Sequence, residues 1–560
     1  MQTLAPLARR TLAGLAFLVF ALAAVPAPAA IITVTNTNDD GAGSLRAAIA
    51  GASTNPLSSD TVAFDLPPNS TIVLQSTLTI DRDIVIDGGG SGNFTLSGGG
   101  AVRVFDVVAS VVFTIENLAI VNGRAIRGGG IYNQGSVTLT RCTVAGNSAT
   151  SNSGGGIYNE GMLVLNDSIV TGNSAAGGGG GGGIFSSDAR TGVITPALTL
   201  NRSVVIGNSA DAEGGGINNA VGTAYLTDST ISGNTTKANG GGLSNHDELR
   251  LIRSTVSGNS ADNGGGGILN DGAGMLYLVN STITGNSAHS GGGISNSHVL
   301  SATHVTLAGN TAGGNADDLY NDTGAEAGFI NTLIQSCIGG GTYADNGGNF
   351  DAGSGCGVAS SRSNATLDLG LLQDNGGATL TMLPGSASDA LGQGTALGCE
   401  VGSGGVDQRS AARPTDLCTS GAVQAGAGAP RFRLTVAVTG LGSVGDDATP
   451  AQIDNCATTG RANCTGIYDA GGSVQLTAVP AAGQTFASWG GACSGTDATT
   501  TVAMSQARAC TASFAPAATT ATAAAVPTLN QWALLLLAAL LAAASAGAAR
   551  VNGRQSRNRT

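Results

Sequence analysis

A sequence motif that recurs at a nearly fixed interval constrains the fold of this chain more than any other feature of its sequence. Between Gly128 and Asn310 each copy reads Gly-Gly-Gly-Ile-Tyr-Asn, then a β-branched run, then Ser-x-Val-x-Gly-Asn-Ser-Ala, with small variations. The apolar residue after the glycines recurs at spacings of 26, 27, 33, 26, 25 and 26, at Ile131, Ile157, Ile184, Ile217, Leu243, Ile268 and Ile294. This period is too short for a domain and too long for one strand, so it indicates a solenoid with one coil per repeat.

Each copy of the repeat predicts three short strands, because apolar and polar residues alternate and a glycine or a corner separates the runs. In the first copy the strands span 129–133, 136–140 and 142–145. Residues one coil apart in a parallel stack lie about 4.8 Å from each other on the same face, so aligned copies predict continuous inner columns. These columns are Leu139, Leu165, Leu200, Leu226, Leu251 and Leu278, and Val144, Val170, Val205, Ile231, Val256 and Ile283. We therefore expect an all-β fold whose main body is a right-handed parallel β-helix.

The amino-acid composition is consistent with β structure and argues against one class of binding partner. The chain has 89 glycines, and only 11% of its residues are charged. Glycine weakens helices and suits the tight turns between short strands. The formal net charge is -12 and the repeat region has no patch of lysine or arginine, which argues against nucleic acid as a partner.

Two asparagine columns accompany the apolar ones. Asparagine tolerates left-handed backbone angles, and its amide can bond to the copies above and below, so we expect structural ladders rather than a ligand surface. Ser186 fills the one gap in the second column. The columns are Asn147, Asn173, Asn208, Asn234, Asn259, Asn286 and Asn310 at the turn after the third strand, and Asn133, Asn159, Asn219, Asn245, Asn270 and Asn296 after the Gly-Gly-Gly-Ile element.

A further column carries alternating charge. It lies six positions before each turn asparagine and reads Arg141, Asp167, Arg202, Asp228, Arg253, then Asn280 and His304. Parallel stacking would place each acid beside an arginine above and below, at the corner between the second and third strands. The interpretation is a charge ladder that discourages slips of one coil, and the alternative is a recognition stripe.

The N-terminal region predicts export and a cap. Residues 1–30 carry Arg9 and Arg10, an apolar run and an Ala-x-Ala type cleavage site, which is a signal peptide for the Sec export machinery. Residues 31–127 are expected to form an N-terminal cap and the first, less regular coils. Ser44 is a candidate N-cap of a short helix, whose Leu45 and Ile49 could cover the open end of the first coil.

The two ends of the solenoid resemble a known group of proteins. Asn-Thr-Asn-Asp followed by Gly-Ser-Leu-Arg-Ala-Ala-Ile is similar to the opening motif of bacterial β-helix proteins, with Ala47 in place of the usual Glu. The repeats of 128–325 resemble those of chlamydial polymorphic outer membrane proteins. The segment 326–428, with Leu-Gln-Asp-Asn-Gly-Gly, Asp407-Gln408-Arg409 and Arg413-Pro414, resembles the closing segment of the same family. The resemblance implies a β-helix and a surface location, and it implies no reaction.

Residues 431–515 predict a small β module, because alternating strands are broken by glycine. The sequence of this module resembles divergent internalin B-type repeats of bacterial surface proteins. Export permits disulfides, and among the three pairings open to the four cysteines of this module the local ones are favoured. Short loops in the non-repetitive closing segment predict two more bridges. The expected pairs are Cys456 with Cys464, Cys493 with Cys510, Cys337 with Cys356 and Cys399 with Cys418, which leaves Cys142 unpaired and inward.

The C-terminal end has three parts in a fixed order. A linker at 516–525 precedes the segment 526–560, which contains Val-Pro-Thr-Leu-Asn-Gln-Trp, an apolar run and an arginine-rich end. The run is just long enough for a transmembrane helix. The phrase is similar to the Ile-Pro-Thr-Leu sorting signal that an exosortase-type membrane peptidase processes, and the matching residues are Pro527, Thr528, Leu529 and Trp532. We expect the precursor to pass through the inner membrane and to lose the residues beyond about Thr528, with permanent anchoring as the alternative.

No set of catalytic residues emerges from the sequence. Asp39 and Asp40 are the closest approach to a carboxylate pair but lie in a capping phrase, and the four histidines fall at different phases of the coil. We predict a non-catalytic exported surface protein without cofactor or metal, used for adhesion or cell-surface interaction with an unknown surface or glycan ligand. The alternatives are a carbohydrate-active β-helix enzyme, either lyase or hydrolase, and a structural component of an extracellular matrix.

Overall fold

The structure, a computed structural model, describes residues 29–54, 59–89, 94–187, 197–358, 362–396, 398–399, 404–415, 418–425, 431–447, 453, 456–457, 464–469, 472–505 and 508–517. Most of the predicted signal peptide (residues 1–28), nearly all of the predicted linker, the four predicted sorting-signal residues and the predicted transmembrane helix lie outside the described residues. The described chain forms two compact units, which we call the solenoid unit and the small β unit, divided near residue 434.

Four parallel sheets form the walls of the solenoid unit, and in each sheet hydrogen-bonded neighbours follow chain order. Face 1 contains Ile31–Val34, Asp60–Phe64, Ile84–Asp87, Val112–Glu116, Ser136–Thr140, Met162–Asn166, Leu198–Asn201, Thr223–Thr227, Glu248–Ile252, Met275–Val279, Val299–Thr303, Glu326–Ile330 and Thr342–Asp345. Face 2 contains Thr71–Val73, Phe94–Ser97, Leu118–Val121, Thr143–Ala145, Ile169–Thr171, Val204–Ile206, Thr230–Ser232, Thr255–Ser257, Thr282–Thr284, Thr306–Leu307, Leu333–Ile334 and Phe350–Asp351.

The remaining two sheets complete each coil. Face 3 contains Leu78–Ile80, Phe105–Val107, Ile131–Asn133, Ile157–Asn159, Ile184–Ser187, Ile217–Val221, Leu243–Asn245, Ile268–Asn270, Ile294–Asn296, Leu319–Asn321 and Cys337–Ile338. Face 4 contains Arg124–Ala125, Ser148–Ala149, Ser174–Ala175, Ser209–Ala210, Thr235–Thr236, Ser260–Ala261, Ser287–Ser290 and Thr311–Asn315.

The parallel solenoid is confirmed, but the prediction of three strands per coil is wrong. The residue pair after each turn asparagine, most often Ser-Ala, forms a fourth strand, because its backbone groups meet the equivalent pair in the next coil, as Ser148 and Ala149 meet Ser174 and Ala175. Two residues are enough for a strand here, since stacking in register satisfies each backbone group whatever the strand length. The sequence pattern hides this strand because its outward residue is only a serine or threonine.

The predicted inner columns form the core. Leu139 pairs with Leu165 and Val144 with Val170, and the same register continues through the later coils. Every member of both leucine and valine columns is at most 1% exposed. Like residues therefore stack directly on like residues, and the apolar area removed from water is continuous along the solenoid.

The predicted cap helix covers the first coil. It spans Leu45–Gly51, and the Ser44 hydroxyl accepts a hydrogen bond from the backbone N–H of Ala47. Leu45 and Ile49 are buried in the same apolar cluster as Val34 of the first strand. The helix thus closes the end at which the inner columns would otherwise meet water.

The turn asparagines form a continuous hydrogen-bonded ladder. Each side-chain amide Nδ2 donates to the Oδ1 of the asparagine in the next coil at 2.8 to 3.0 Å, from Asn147 to Asn310. The same Oδ1 also accepts from the backbone N–H of the preceding asparagine. At the last step the acceptor is the carboxylate of Asp318, which is 2.7 Å from Asn310 Nδ2.

The second asparagine ladder is interrupted where the sequence has serine. Within its two halves Nδ2 donates to the next Oδ1 at 2.7 to 2.8 Å. Asn159 Nδ2 reaches Ser186 Oγ at 3.1 Å, but the buried Oδ1 of Asn219 in the following coil has no hydrogen-bond partner among the described residues. A serine is too short to continue the chain of amides.

The small β unit contains two four-stranded sheets. One sheet joins Thr465–Asp469, Arg431–Thr439, Arg508–Pro516 and Gln484–Gly491, and the other joins Cys456–Ala457, Gly442–Asp446, Ser473–Pro480 and Thr499–Ala503. The strand Ser473–Pro480 alternates buried and exposed residues over most of its length, as the sequence predicts for a half-buried strand.

Candidate functional site

The charge-ladder residues all occupy one corner of the solenoid, between faces 1 and 2. Arg141, Asp167, Arg202, Asp228 and Arg253 have φ angles between 47° and 53°, so the chain takes a left-handed turn at each of them. Arg202 binds Asp167 through two hydrogen bonds of 2.7 and 2.8 Å. Arg253 binds Asp228 with the same two distances. The coil alignment that predicted the ladder therefore holds.

The ion pairs run in one direction only. In both pairs the arginine binds the aspartate of the coil before it. Arg141 binds Asn117 at 2.7 Å and Glu116 at 3.3 Å instead of a ladder aspartate. The guanidinium of Arg202 holds the pKa of Asp167 below its usual range. The Arg202 and Asp167 side chains are 56% and 39% exposed, so water screens this ion pair and it contributes little to stability. Asn117 precedes the repeat region and occupies the same corner column with a φ of 56°, while Glu116 is the residue before it; the place of Asn117 in this column was missed.

The same corner is covered in the later coils. The next members, Asn280, His304 and Asn331, are buried, because the closing segment lies over them. Arg413 Nη2 donates to Asn280 Oδ1 at 3.2 Å, and His304 Nδ1 lies 3.3 Å from the carbonyl oxygen of Gly421. The charge alternation stops at Arg253 because a buried corner cannot hold solvated ion pairs.

The Asp-Gln-Arg phrase of the closing segment binds the solenoid directly. Gln408 Nε2 donates to Thr255 Oγ1 at 2.8 Å, and its Oε1 accepts from Thr282 Oγ1 at 2.6 Å. The Asp407 carboxylate is buried and pairs with Arg409 at 2.7 Å. These residues attach the closing segment along face 2, so their role is structural.

The structure joins Cys337 to Cys356, Cys399 to Cys418, Cys456 to Cys464 and Cys493 to Cys510. These are the four pairs that the sequence predicts. Cys142 is buried and unpaired, and its backbone N–H donates to Ser168 Oγ at 3.0 Å at the start of a serine column. Burial raises the pKa of the Cys142 thiol to about 11, so this thiol is protonated and unreactive at neutral pH.

The acids and histidines considered for chemistry have other partners. Asp39 Oδ1 accepts from Arg46 at 2.8 Å, while Asp40 Oδ1 accepts from the backbone N–H of Gly41. The two carboxylates thus serve different local bonds. His246 Nε2 lies 2.7 Å from Glu213 Oε2 and 3.1 Å from Ser244 Oγ. Both contacts use the same ring nitrogen, so Nε2 is shared between the carboxylate and the hydroxyl.

A column of large exposed side chains on face 1 was missed by the sequence reasoning. Tyr225, Arg250 and Tyr277 occupy equivalent positions in three successive coils. The Arg250 guanidinium lies 4.3 Å from the ring centre of Tyr277 and 5.9 Å from that of Tyr225. Tyr225 is 37% exposed and the Arg250 side chain 42%. Each of these residues directly precedes the inner leucine of its coil, and this shared position is the sequence pattern that could have identified the column.

A second aromatic column on face 3 is more enclosed. Tyr132, Tyr158 and Phe185 stack in successive coils with ring centres 5.7 and 4.9 Å apart. Arg127 lies 5.3 Å from the centres of both tyrosine rings, and the Tyr132 hydroxyl donates to Glu160 at 2.6 Å. Tyr158 is only 8% exposed, so this column offers less open ring surface than the face 1 column.

Comparison with known proteins identifies two segments in the C-terminal third of the chain. A divergent InlB B-repeat domain matches residues 454–518, and an IPTL-CTERM motif matches residues 524–550. The resemblances to an internalin B-type repeat and to the Ile-Pro-Thr-Leu sorting signal are thereby confirmed, and together they indicate an exported cell-surface protein. Among the described residues, no helix has the length and apolar content needed to cross a bilayer. No curated protein matches the chain.

Two solved structures are similar to this chain at low identity. A crystal structure of pectate lyase Pel9A is 14% identical, with a TM-score of 0.41, and covers 71% of this chain and 97% of that one. Geobacillus virus E2 ORF18 is 15% identical, with a TM-score of 0.29, and covers 57% of this chain and 61% of that one. At these scores neither structure informs the activity of this chain.

Proposed function

We propose that this protein is a non-catalytic exported scaffold that presents the face 1 column of Tyr225, Arg250 and Tyr277 to a glycan on a neighbouring surface. The observation that carries the proposal is this exposed column, on a chain that ends in a sorting motif. The asparagine and serine columns point inward and bond to one another, so they serve the fold. The face 1 column is a set of large side chains that the fold does not bury.

The chemistry of the column suits a sugar chain. Aromatic faces pack against the apolar C–H face of a sugar ring, and a guanidinium donates several hydrogen bonds to hydroxyl or carboxylate oxygens. Successive coils place these groups about 4.8 Å apart along the solenoid axis, which is close to the length of one sugar unit. Arg250 is held beside the Tyr277 ring, so little side-chain freedom is lost on binding.

The test combines binding with a search for turnover. The purified full-length chain is applied to a glycan array and, separately, incubated with a panel of polysaccharides. The proposal expects retention of at least one glycan class without release of shorter products. Product release would favour the carbohydrate-active enzyme, and self-assembly of the purified chain without glycan binding would favour the structural matrix component.

Variants locate the surface that binds. Tyr225→Ala and Arg250→Ala should each weaken glycan binding by about tenfold or more, because each removes an exposed contact of the column. Tyr320→Ala is the matched control, since Tyr320 is also partly exposed but lies on face 3. Equal loss of binding in all three variants would contradict the assignment to face 1.

A further inference from the structure

Three potential metal ligands meet where the closing segment covers the corner of the solenoid. His304 comes from the corner column, and Cys399 and Cys418 come from the closing segment. The ligand atoms of these three residues lie within 4.8 Å of one another, and all three residues are buried. In the present state the two sulfurs are joined as a disulfide.

The imidazole of His304 is oriented as a metal ligand would be. Its Nε2 accepts a hydrogen bond from Asn331 Nδ2 at 3.0 Å, so Nε2 carries the lone pair and Nδ1 carries the proton. Nδ1 lies 3.3 Å from the carbonyl oxygen of Gly421. A histidine that binds a metal commonly donates its other N–H to a backbone carbonyl in this way. Burial also lowers the pKa of His304 well below its ordinary value, which keeps the ring neutral.

The Nε2 atom that carries the lone pair is also close to a sulfur. Nε2 lies 3.7 Å from Cys418 Sγ. In a tetrahedral zinc site, bonds of about 2.3 Å to sulfur and about 2.0 Å to nitrogen separate the two ligand atoms by about 3.5 Å. The imidazole is therefore already near the position it would take in such a site, and the changes required are separation of the two sulfurs and release of the Asn331 hydrogen bond from Nε2.

We propose that reduction of the Cys399–Cys418 disulfide opens a buried site for a soft divalent cation such as Zn²⁺, with His304, Cys399 and Cys418 as ligands. A dithiol supplies two electrons and two protons, becomes a cyclic disulfide, and leaves two cysteine thiols. Each thiol then loses its proton to solvent as its sulfur binds the cation. The disulfide links two parts of the closing segment, whereas the cation would also link that segment to the solenoid through His304.

Cobalt provides the probe, because thiolate-bound tetrahedral Co²⁺ has charge-transfer and visible bands that Zn²⁺ removes. The full-length chain is reduced without oxygen by a phosphine, which becomes a phosphine oxide with oxygen from water. Thiol titration verifies reduction, and a chain that resists is refolded from denaturant with the phosphine present. We expect one tight Co²⁺ site with these bands, and no such site before reduction.

Variants separate this site from the other reduced cysteines. Cys399→Ser with Cys418→Ser should abolish the site, and His304→Asn or His304→Gln should weaken Co²⁺ binding more than about 100-fold. Cys337→Ser with Cys356→Ser is the matched control and should retain it, with far-UV circular dichroism checking the fold of each variant. Unchanged bands after loss of Cys399 and Cys418, or unchanged affinity in both His304 variants, would overturn the proposal.

Discussion

Asp318 is expected to make the solenoid less stable at neutral and alkaline pH than its asparagine variant. This carboxylate ends the turn-asparagine ladder, fully buried, where it accepts from the backbone N–H and the side chain of Asn310. Burial raises its pKa from 3.8 to about 7. The Ser336 hydroxyl donates to the other carboxylate oxygen at 3.3 Å. In Asp318→Asn the Oδ1 acceptor for Asn310 remains, and the bond to Ser336 can reverse so that the new amide donates to Ser336 Oγ.

The magnitude follows from the shift in pKa. A group whose folded pKa is raised stabilises the folded state fully below its unfolded pKa, and that contribution is lost as the pH rises through the folded pKa. A rise from 3.8 to about 7 is about three pH units, or about 4 kcal/mol at about 1.4 kcal/mol per unit. The variant should therefore match the natural chain near pH 4 and exceed its stability by up to about 4 kcal/mol at pH 8.

Urea unfolding followed by far-UV circular dichroism, repeated between pH 4 and pH 8, measures this difference. Asp317→Asn is the matched control, because the Asp317 carboxylate bonds to the backbone N–H of Ala312 at an exposed position. The control should show no comparable pH-dependent gain. A variant at Asp318 that is less stable at pH 8, or a difference that does not shrink toward pH 4, would refute the reasoning.

Four further substitutions test other parts of the fold by the same unfolding assay, and one of them also by proteolysis. Ser186→Asn should stabilise the chain by about 1 kcal/mol, because it supplies a donor for the unpartnered Asn219 Oδ1. Asn245→Ser should create the same gap in a later coil and destabilise the chain. Equal effects of the two variants would contradict the ladder account. Arg413→Ala should cost about 3 to 5 kcal/mol and expose the closing segment to protease, because the buried guanidinium bonds to several carbonyls; unchanged proteolysis would contradict this. Cys142→Ser should change stability by less than about 1 kcal/mol, since serine fills this column elsewhere, and a larger loss would show that sulfur packing matters there.

The parts of the fold that repeat are the parts that the sequence predicts well. Parallel stacking places equivalent residues above one another, so spacing alone identified the leucine column, the turn-asparagine ladder and the corner that holds Arg202 and Asp167. Those inferences need only the register between neighbouring coils. The fourth strand was missed because Ser148 and Ala149 show no apolar alternation.

Contacts between distant, non-repeating segments were not predictable in this way. Gln408 bonds to Thr255 and Thr282 across more than 120 positions of sequence, and no period links them. The burial of His304 depends on the same docking, so its sequence phase alone could not identify it as a candidate ligand. Tyr225 and Arg250 occupy the same position in successive coils, but identifying them as a surface column required knowing which positions face outward.

Labelling of intact cells tests the central claim, surface display, most directly. A host that carries the matching peptidase expresses either the full-length chain or a chain that ends at residue 525, and an antibody against the solenoid unit is applied before and after permeabilisation. The account predicts that intact cells with the full-length chain are labelled, and that the shortened chain is found in the medium. Labelling only after permeabilisation, or equal surface labelling by the shortened chain, would contradict it.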